Sequence, residues 1–181
     1  MVHIGSGLNL GSELNLTITT PVAQVLEGYM DADGSSQKHQ RVISGYTYLV
    51  DGGAVLWMSY KQELVILSMT EAKYIAATHA AKEGAWLCRL ISEVFCPLTE
   101  PTTLYCNNQS AIVLTKDSHF HACMKHLDIH YHYIRYIIDD GSFMLIYCST
   151  EDITADIFMK PLPAPQLLLL VKALDLRIST V

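Results

Sequence analysis

The spacing of apolar residues changes period near residue 68, and that change restricts the chain more than any other feature. Before it, two runs of β-branched, aromatic and aliphatic residues, Tyr46–Val50 and Ala54–Trp57, flank Asp51-Gly52-Gly53. An Asp-Gly pair between such runs predicts a tight hairpin, because the turn requires positive φ. Val25–Met30 predicts an earlier strand. After the change, Ala72, Ala76, Ala80, Leu87, Ile91 and Val94 recur at spacings of three, four and seven, the period of one helix face. Ser68-Met69-Thr70-Glu71 has the form of a capping box, and Pro97 stops the helix.

The pattern continues with a strand at Thr103–Cys106 and a short helix at Gln109–Thr115. Leu127, Tyr131, Ile134 and Ile138 form a second helical stripe, which Asp139-Asp140-Gly141 ends. Phe143–Cys148 predicts a fifth strand, Asp152–Met159 a short helix, and Gln166–Leu176 a terminal helix after Pro161-Leu162-Pro163. Three strands followed by alternating helices and strands predict an α/β fold, a mixed five-stranded sheet with helices packed on it. Residues 1–23 read as a weakly ordered remnant of an upstream region, 24–163 as the domain, and 164–181 as a C-terminal helix and tail.

Composition supports one domain. The 181 residues are 50% hydrophobic and 17% charged, enough apolar material for a core, which excludes disorder. Eighteen acidic residues against twelve Lys and Arg give a net charge of −6, which argues against a general basic nucleic-acid binder. No run approaches the roughly 18 apolar residues of a membrane helix, so no membrane partner is expected. No secretory signal is visible at the N-terminus. Five dispersed cysteines without a CxxC pair fit a reducing, intracellular compartment.

Four positions stand out as candidates for chemistry. Asp31 follows the apolar end of the first strand, Glu71 lies in the first turn of the long helix, Asn107 follows the strand Leu104-Tyr105-Cys106, and Asp156 lies in the short helix after the fifth strand. Adjacent strand ends would gather these side chains. Clustered carboxylates repel unless a cation compensates, so such a site takes Mg²⁺ or Mn²⁺. Two such ions about 3.5–4 Å apart are the arrangement for in-line phosphodiester hydrolysis. Each acid also has an ordinary explanation. Glu71 completes a capping box or complements the helix dipole, Asp31 and Asp33 are turn residues before Gly34, and Asp156 is an exposed helix acid.

The motifs themselves are more specific. Gly28-Tyr29-Met30-Asp31-Ala32-Asp33, Ser44-Gly45-Tyr46, Gly52-Gly53-Ala54-Val55-Leu56-Trp57 and Ser68-Met69-Thr70-Glu71-Ala72-Lys73-Tyr74 occur in order. Tyr105-Cys106-Asn107-Asn108-Gln109-Ser110-Ala111, His121–Ile129 and Ala155-Asp156-Ile157-Phe158-Met159-Lys160-Pro161-Leu162-Pro163 follow. Over residues 26–163 the chain resembles the ribonuclease H domain of copia-type LTR retrotransposon Pol polyproteins. The resemblance implies a ribonuclease H-like fold and a metal-dependent endonuclease that cuts the RNA strand of an RNA–DNA hybrid during reverse transcription. It implies Asp31, Glu71, Asn107 and Asp156 as catalytic residues and ligands of two Mg²⁺ (or Mn²⁺) ions. A metal-activated water would leave a 3′-hydroxyl and a 5′-phosphate. It also implies an upstream reverse transcriptase domain as partner, and a cytoplasmic particle as location.

The chain departs from that pattern in several places. Asn107 stands where the family has aspartate, Lys73 replaces a usual glutamate, and Cys123, Met124 and His130 stand where arginine, threonine and arginine are common. One residue and a tryptophan are missing after Asp33, and the chain starts without the polymerase domain. Two readings follow: a ribonuclease H impaired by Asn107, or an inactive relic that keeps the fold and binds nucleic acid weakly. Position 107 separates them.

Five of the eight histidines fall between His119 and His132. Lys125, His126, His132 and Arg135 are read as phosphate contacts on the substrate side, with an ordinary solvated helix face as the alternative. His126 and His130 have the i,i+4 spacing of a zinc pair, but the glutamate of a zinc protease helix is missing. Cys106, at the end of an apolar strand, reads as a buried thiol rather than a nucleophile. Trp57 and Trp86 are expected in the core. Leu167–Leu170 is expected to pack the terminal helix, with a partner interface as the lesser alternative.

Overall fold

The computed structural model describes residues 25–34, 42–62, 68–95, 97–98, 100–116 and 128–176. Its strands are β1 (Leu26–Asp33), β2 (Ile43–Val50), β3 (Gly53–Lys61), β4 (Thr102–Cys106) and β5 (Phe143–Tyr147). Helices are α1 (Met69–Val94), α2 (Gln109–Lys116), α3 (Asp128–Asp139) and α4 (Ala164–Ala173), with a 3₁₀ turn at Thr154–Phe158. The strands form one sheet in the order β3-β2-β1-β4-β5. The first three are antiparallel neighbours, and β4 and β5 run parallel to β1. The expected mixed five-stranded sheet is therefore present. The expectation for residues 1–23 lies outside the described residues.

The hairpin forms as its turn chemistry requires, with Asp51 at φ 50° and Gly52 at φ 84°. β1 runs further than its apolar stretch, through Asp33, because antiparallel pairing with β2 continues to Asp33 opposite Ile43. Asp31 thus lies within the strand, opposite Gly45, and does not follow it.

Helix α1 crosses one face of the sheet on a stripe of small side chains. Ala72, Ala76, Ala77, Ala80 and Ala81 are all buried, and alanines let the helix backbone approach closely. Tyr48 of β2 fills the space that remains. It is fully buried and donates its hydroxyl to the Ala80 carbonyl at 2.6 Å. Two glycines make room for its ring. A Cβ at Gly28 of β1 would lie 2.5 Å from the Tyr48 ring, and one at Gly84 of α1 would overlap the Tyr48 hydroxyl. At the other end of α1, Gln62 donates Nε2 to the Ser44 hydroxyl and to the Ala72 carbonyl, the latter at 2.9 Å. This side chain fixes the first turn of α1 against β2.

Both tryptophans are corrections to the expected core, since Trp57 is 54% and Trp86 56% exposed. Trp57 sits on the edge strand β3, and Trp86 lies off the alanine stripe. Val94 is also exposed. In α4 only Leu170 of the Leu167–Leu170 run is buried, joined by Leu174 just beyond the helix. No helix of the described residues is long and apolar enough to cross a membrane.

Gly84→Ala tests the fit of Tyr48. Alanine in an unobstructed helix interior gains roughly 0.8–1 kcal/mol over glycine. Here the overlap reverses the sign, and chemical denaturation is expected to show a loss of about 1–3 kcal/mol.

Candidate active site

The parallel pair β1 and β4 forms the middle of the sheet, with Met30 opposite Cys106. Each strand carries its polar residue one position further on, which places Asp31 and Asn107 side by side. Asn107 donates Nδ2–H to Asp31 Oδ2 at 2.9 Å and to Thr150 Oγ1 at 3.4 Å. Asp31 Oδ1 accepts the Ala32 N–H at 2.7 Å. Lys73, two residues after Glu71 in α1, places Nζ 2.7 Å from the same Asp31 oxygen and also donates to Asn107 Oδ1. The amide orientation has one solution. An ammonium can only donate and a carboxylate can only accept, so Asn107 must turn its oxygen to Lys73 and its nitrogen to Asp31.

Glu71 is buried in the first turn of α1, where its N–H donates to the Ser68 hydroxyl at 3.2 Å. This is the Ser68 half of the expected capping box. Asp156 comes from the 3₁₀ turn, which lies against β2 at Gly45. A Cβ there would meet Met159 Cγ at 2.9 Å and the Ala155 carbonyl at 3.0 Å. Because Gly45 is also the partner of Asp31, the missing side chain lets the Asp156 turn settle beside the Asp31 end of the sheet.

Asp156 is fully buried and pairs through Oδ2 with Lys160 Nζ at 2.8 Å, one helical turn along. Its Oδ1 has no hydrogen-bond partner among the described residues. Burial pushes the Asp156 carboxyl above the ordinary carboxylate range. Lys160 pulls it back, while the charge of Asp31 raises it further and that of Lys73 lowers it. Burial acts to lower the Lys160 ammonium, but Asp156, Asp31 and Asp33 raise it more. Asp31 and Asp156 therefore lie within one electrostatic site, each carrying its own lysine.

The donor set does not fit a pair of divalent cations as arranged. The Asp31 carboxylate already holds an ammonium, a backbone N–H and an amide N–H. Position 107 offers only a neutral oxygen, and that oxygen faces Lys73. Among the described residues no group of three or more His, Cys, Asp or Glu side chains is placed to hold a metal ion.

The residues expected to touch phosphate fall on or near α3. Lys125 and His126, and with His126 one member of the zinc pair, lie outside the described residues. His132 is exposed. Arg135 is half-buried and donates Nη2 to the Leu114 carbonyl at 3.5 Å, tying α3 to α2. Sequence reasoning did not place Lys73 or Lys160 in the site. The signal was present: Lys73 is two residues from Glu71, and Lys160 is four from Asp156, the spacing of a helical ion pair.

Cys106 is buried, and burial pushes its thiol up to about 11, with only a long contact to the Asn108 carbonyl at 3.9 Å. A thiol so raised is a poor nucleophile at neutral pH. Iodoacetamide is expected to leave Cys106 unlabelled in the folded chain and to modify it after unfolding, as read by peptide mass spectrometry. A second expectation concerns Asp156. Above the unfolded midpoint and below the raised folded one, the folded chain holds the proton more tightly, so this residue's contribution to stability falls as pH rises through that window. Lys160→Met should move the Asp156 midpoint further up, followed by carboxyl carbon NMR.

No family model matches the chain. By sequence it is 44% identical over 140 residues to the retrovirus-related Pol polyprotein from transposon TNT 1-94 of Nicotiana tabacum, covering 77% of this chain and 10% of the relative. It is 37% identical over 138 residues to that from transposon RE1 of Arabidopsis thaliana, covering 76% of this chain and 9% of the relative. The chain thus spans about a tenth of the length of the curated relatives it matches. Among solved structures it is similar to LC11-RNase H1 in complex with RNA/DNA hybrid, with a TM-score of 0.54 at 12% identity over 74% of this chain and 93% of that one. It is similar to RNase H1 from the archaeon Halobacterium salinarum, with a TM-score of 0.54 at 14% identity over the same shares. The chain is a homologue of the retrovirus-related Pol polyproteins of plant transposons, and its fold is that of ribonuclease H.

Proposed function

We propose that this chain is the ribonuclease H portion of a copia-type Pol polyprotein, built to engage RNA–DNA hybrid, with its hydrolysis of the RNA strand impaired at the site itself. Its sequence relation to Pol polyproteins supports that setting, with an upstream reverse transcriptase domain as neighbour and a cytoplasmic particle as the place of action. One solved protein of this fold was captured on an RNA/DNA hybrid, which makes hybrid the substrate class to test.

The observation that carries the impairment is the hydrogen bond from Asn107 Nδ2 to Asp31 Oδ2 at 2.9 Å. Two carboxylates at that separation repel, and a cation between them relieves the repulsion. An amide reverses the contact into an attraction and removes one negative charge. The site then needs no added cation to hold its shape, and it attracts one less.

Asp31, Glu71, Asn107 and Asp156 are the residues proposed to face the scissile phosphate, and Lys125, His126, His132 and Arg135 to contact the backbone. The chain's acidic balance leaves little basic surface elsewhere, so affinity for hybrid should be modest and should fall as salt rises. The relic reading differs only in the completeness of the loss.

Two measurements on the 181-residue chain decide the matter: hybrid binding by fluorescence anisotropy in EDTA, and cleavage of labelled hybrid with Mg²⁺ and with Mn²⁺. Binding is expected. Cleavage is expected roughly 100-fold or more below that of an intact ribonuclease H, since even outer-shell losses at metal sites cost 10–100-fold. Turnover at the intact rate would overturn the impairment. Failure to bind hybrid would overturn the functional reading as a whole.

A further inference from the structure

We infer that the Lys73 ammonium is an internal counter-ion held between Asp31 and Asn107, and that restoring aspartate at position 107 does not by itself restore divalent-cation binding. The inference rests on assigning Asp31 and Asn107 to the site proposed above.

The geometry is that of a cation held between two ligands. Lys73 Nζ contacts one oxygen of Asp31, at 2.7 Å, and the one oxygen of Asn107. The Lys73 side chain is 14% exposed and that of Asp31 5%, so the pair is largely withdrawn from water and little screened. The three side chains sum to zero charge: one carboxylate, one amide and one ammonium. A divalent ion entering between Asp31 and Asn107 would have to displace Nζ, leaving a buried ammonium without its partners, which is costly. Lys160 differs. Its side chain is 36% exposed, so it can swing from Asp156 into solvent. Lys73 is the lysine that holds the position.

The consequence runs against simple reversion. A carboxylate at position 107 faces the same ammonium from 34 residues along the chain. It adds a second negative ligand around Lys73, and the ammonium then bridges the two carboxylates in place of the lost amide hydrogen bond. Only removal of the ammonium leaves two carboxylates in need of a cation.

The test uses the 181-residue chain without nucleic acid. Mn²⁺ binding is measured by electron paramagnetic resonance for the unchanged chain, Asn107→Asp, Lys73→Gln and the double variant. The unchanged chain and Asn107→Asp should bind no Mn²⁺ below millimolar concentration, and the double variant should bind roughly 10–100-fold more tightly than Asn107→Asp. Equal affinity of Asn107→Asp and the double variant would overturn the inference. So would submillimolar binding by the unchanged chain, or no binding by a double variant whose circular dichroism and cooperative melting are intact.

If the Lys73 variants fail to fold, thermal melting of Asn107→Asp decides. Its midpoint should not move with millimolar Mn²⁺. A midpoint that millimolar Mn²⁺ raises would overturn the inference. The functional reading fails separately: if no chain binds hybrid in EDTA while the Mn²⁺ ranking holds, the assignment to hybrid falls and the internal counter-ion stands.

Discussion

Tyr48 sets the distance between the sheet and α1, and the site depends on that distance. Its ring occupies a slot opened by glycines on both sides, and its hydroxyl anchors on a carbonyl in mid-helix. The alanine stripe then holds the helix close along its length. The N-terminal part of α1 carries Glu71 and, two residues on, Lys73. A lysine side chain reaches Asp31 and Asn107 only because its helix lies so near the ends of β1 and β4. Packing far from the site thus decides which charges meet in it.

What meets there is an acid cluster with its own cations. Asp31 pairs with Lys73, and Asp156 with Lys160. Buried carboxylates must be compensated by something. A nuclease site leaves that need open so that diffusible ions and substrate phosphate meet it together. In this chain the covalent structure already meets much of it. The acidic net charge of the whole molecule says nothing of this, because charge balance at the site is decided over a few ångströms.

The order of strands and helices was legible because period and turn chemistry act locally. The Asp51-Gly52 turn, the alanine stripe of α1 and the end of α3 all follow from neighbouring residues. The reach of β1 through Asp33 was not legible, since pairing with β2 overrides the polar character of Asp31 and Asp33. Trp57 and Trp86 failed for the opposite reason: large apolar side chains suggest a core, but burial depends on which face the tertiary packing covers. At the site, motif resemblance named Asp31, Glu71, Asn107 and Asp156, and the substitution at 107 was visible. The pairing of Lys73 with both Asp31 and Asn107 was not, because it joins three elements that only the folded sheet brings together.

The central parallel pair of the sheet has a further consequence for how the molecule forms. Asp31 and Asn107 are 76 residues apart in sequence, whereas the β2–β3 hairpin closes over a two-residue turn. Short loops close early and long ones late. The hairpin and α1 therefore have local routes to order, while the β1–β4 contact closes a far longer loop. A ribosome must have released residue 107 before Asp31 can find its neighbour.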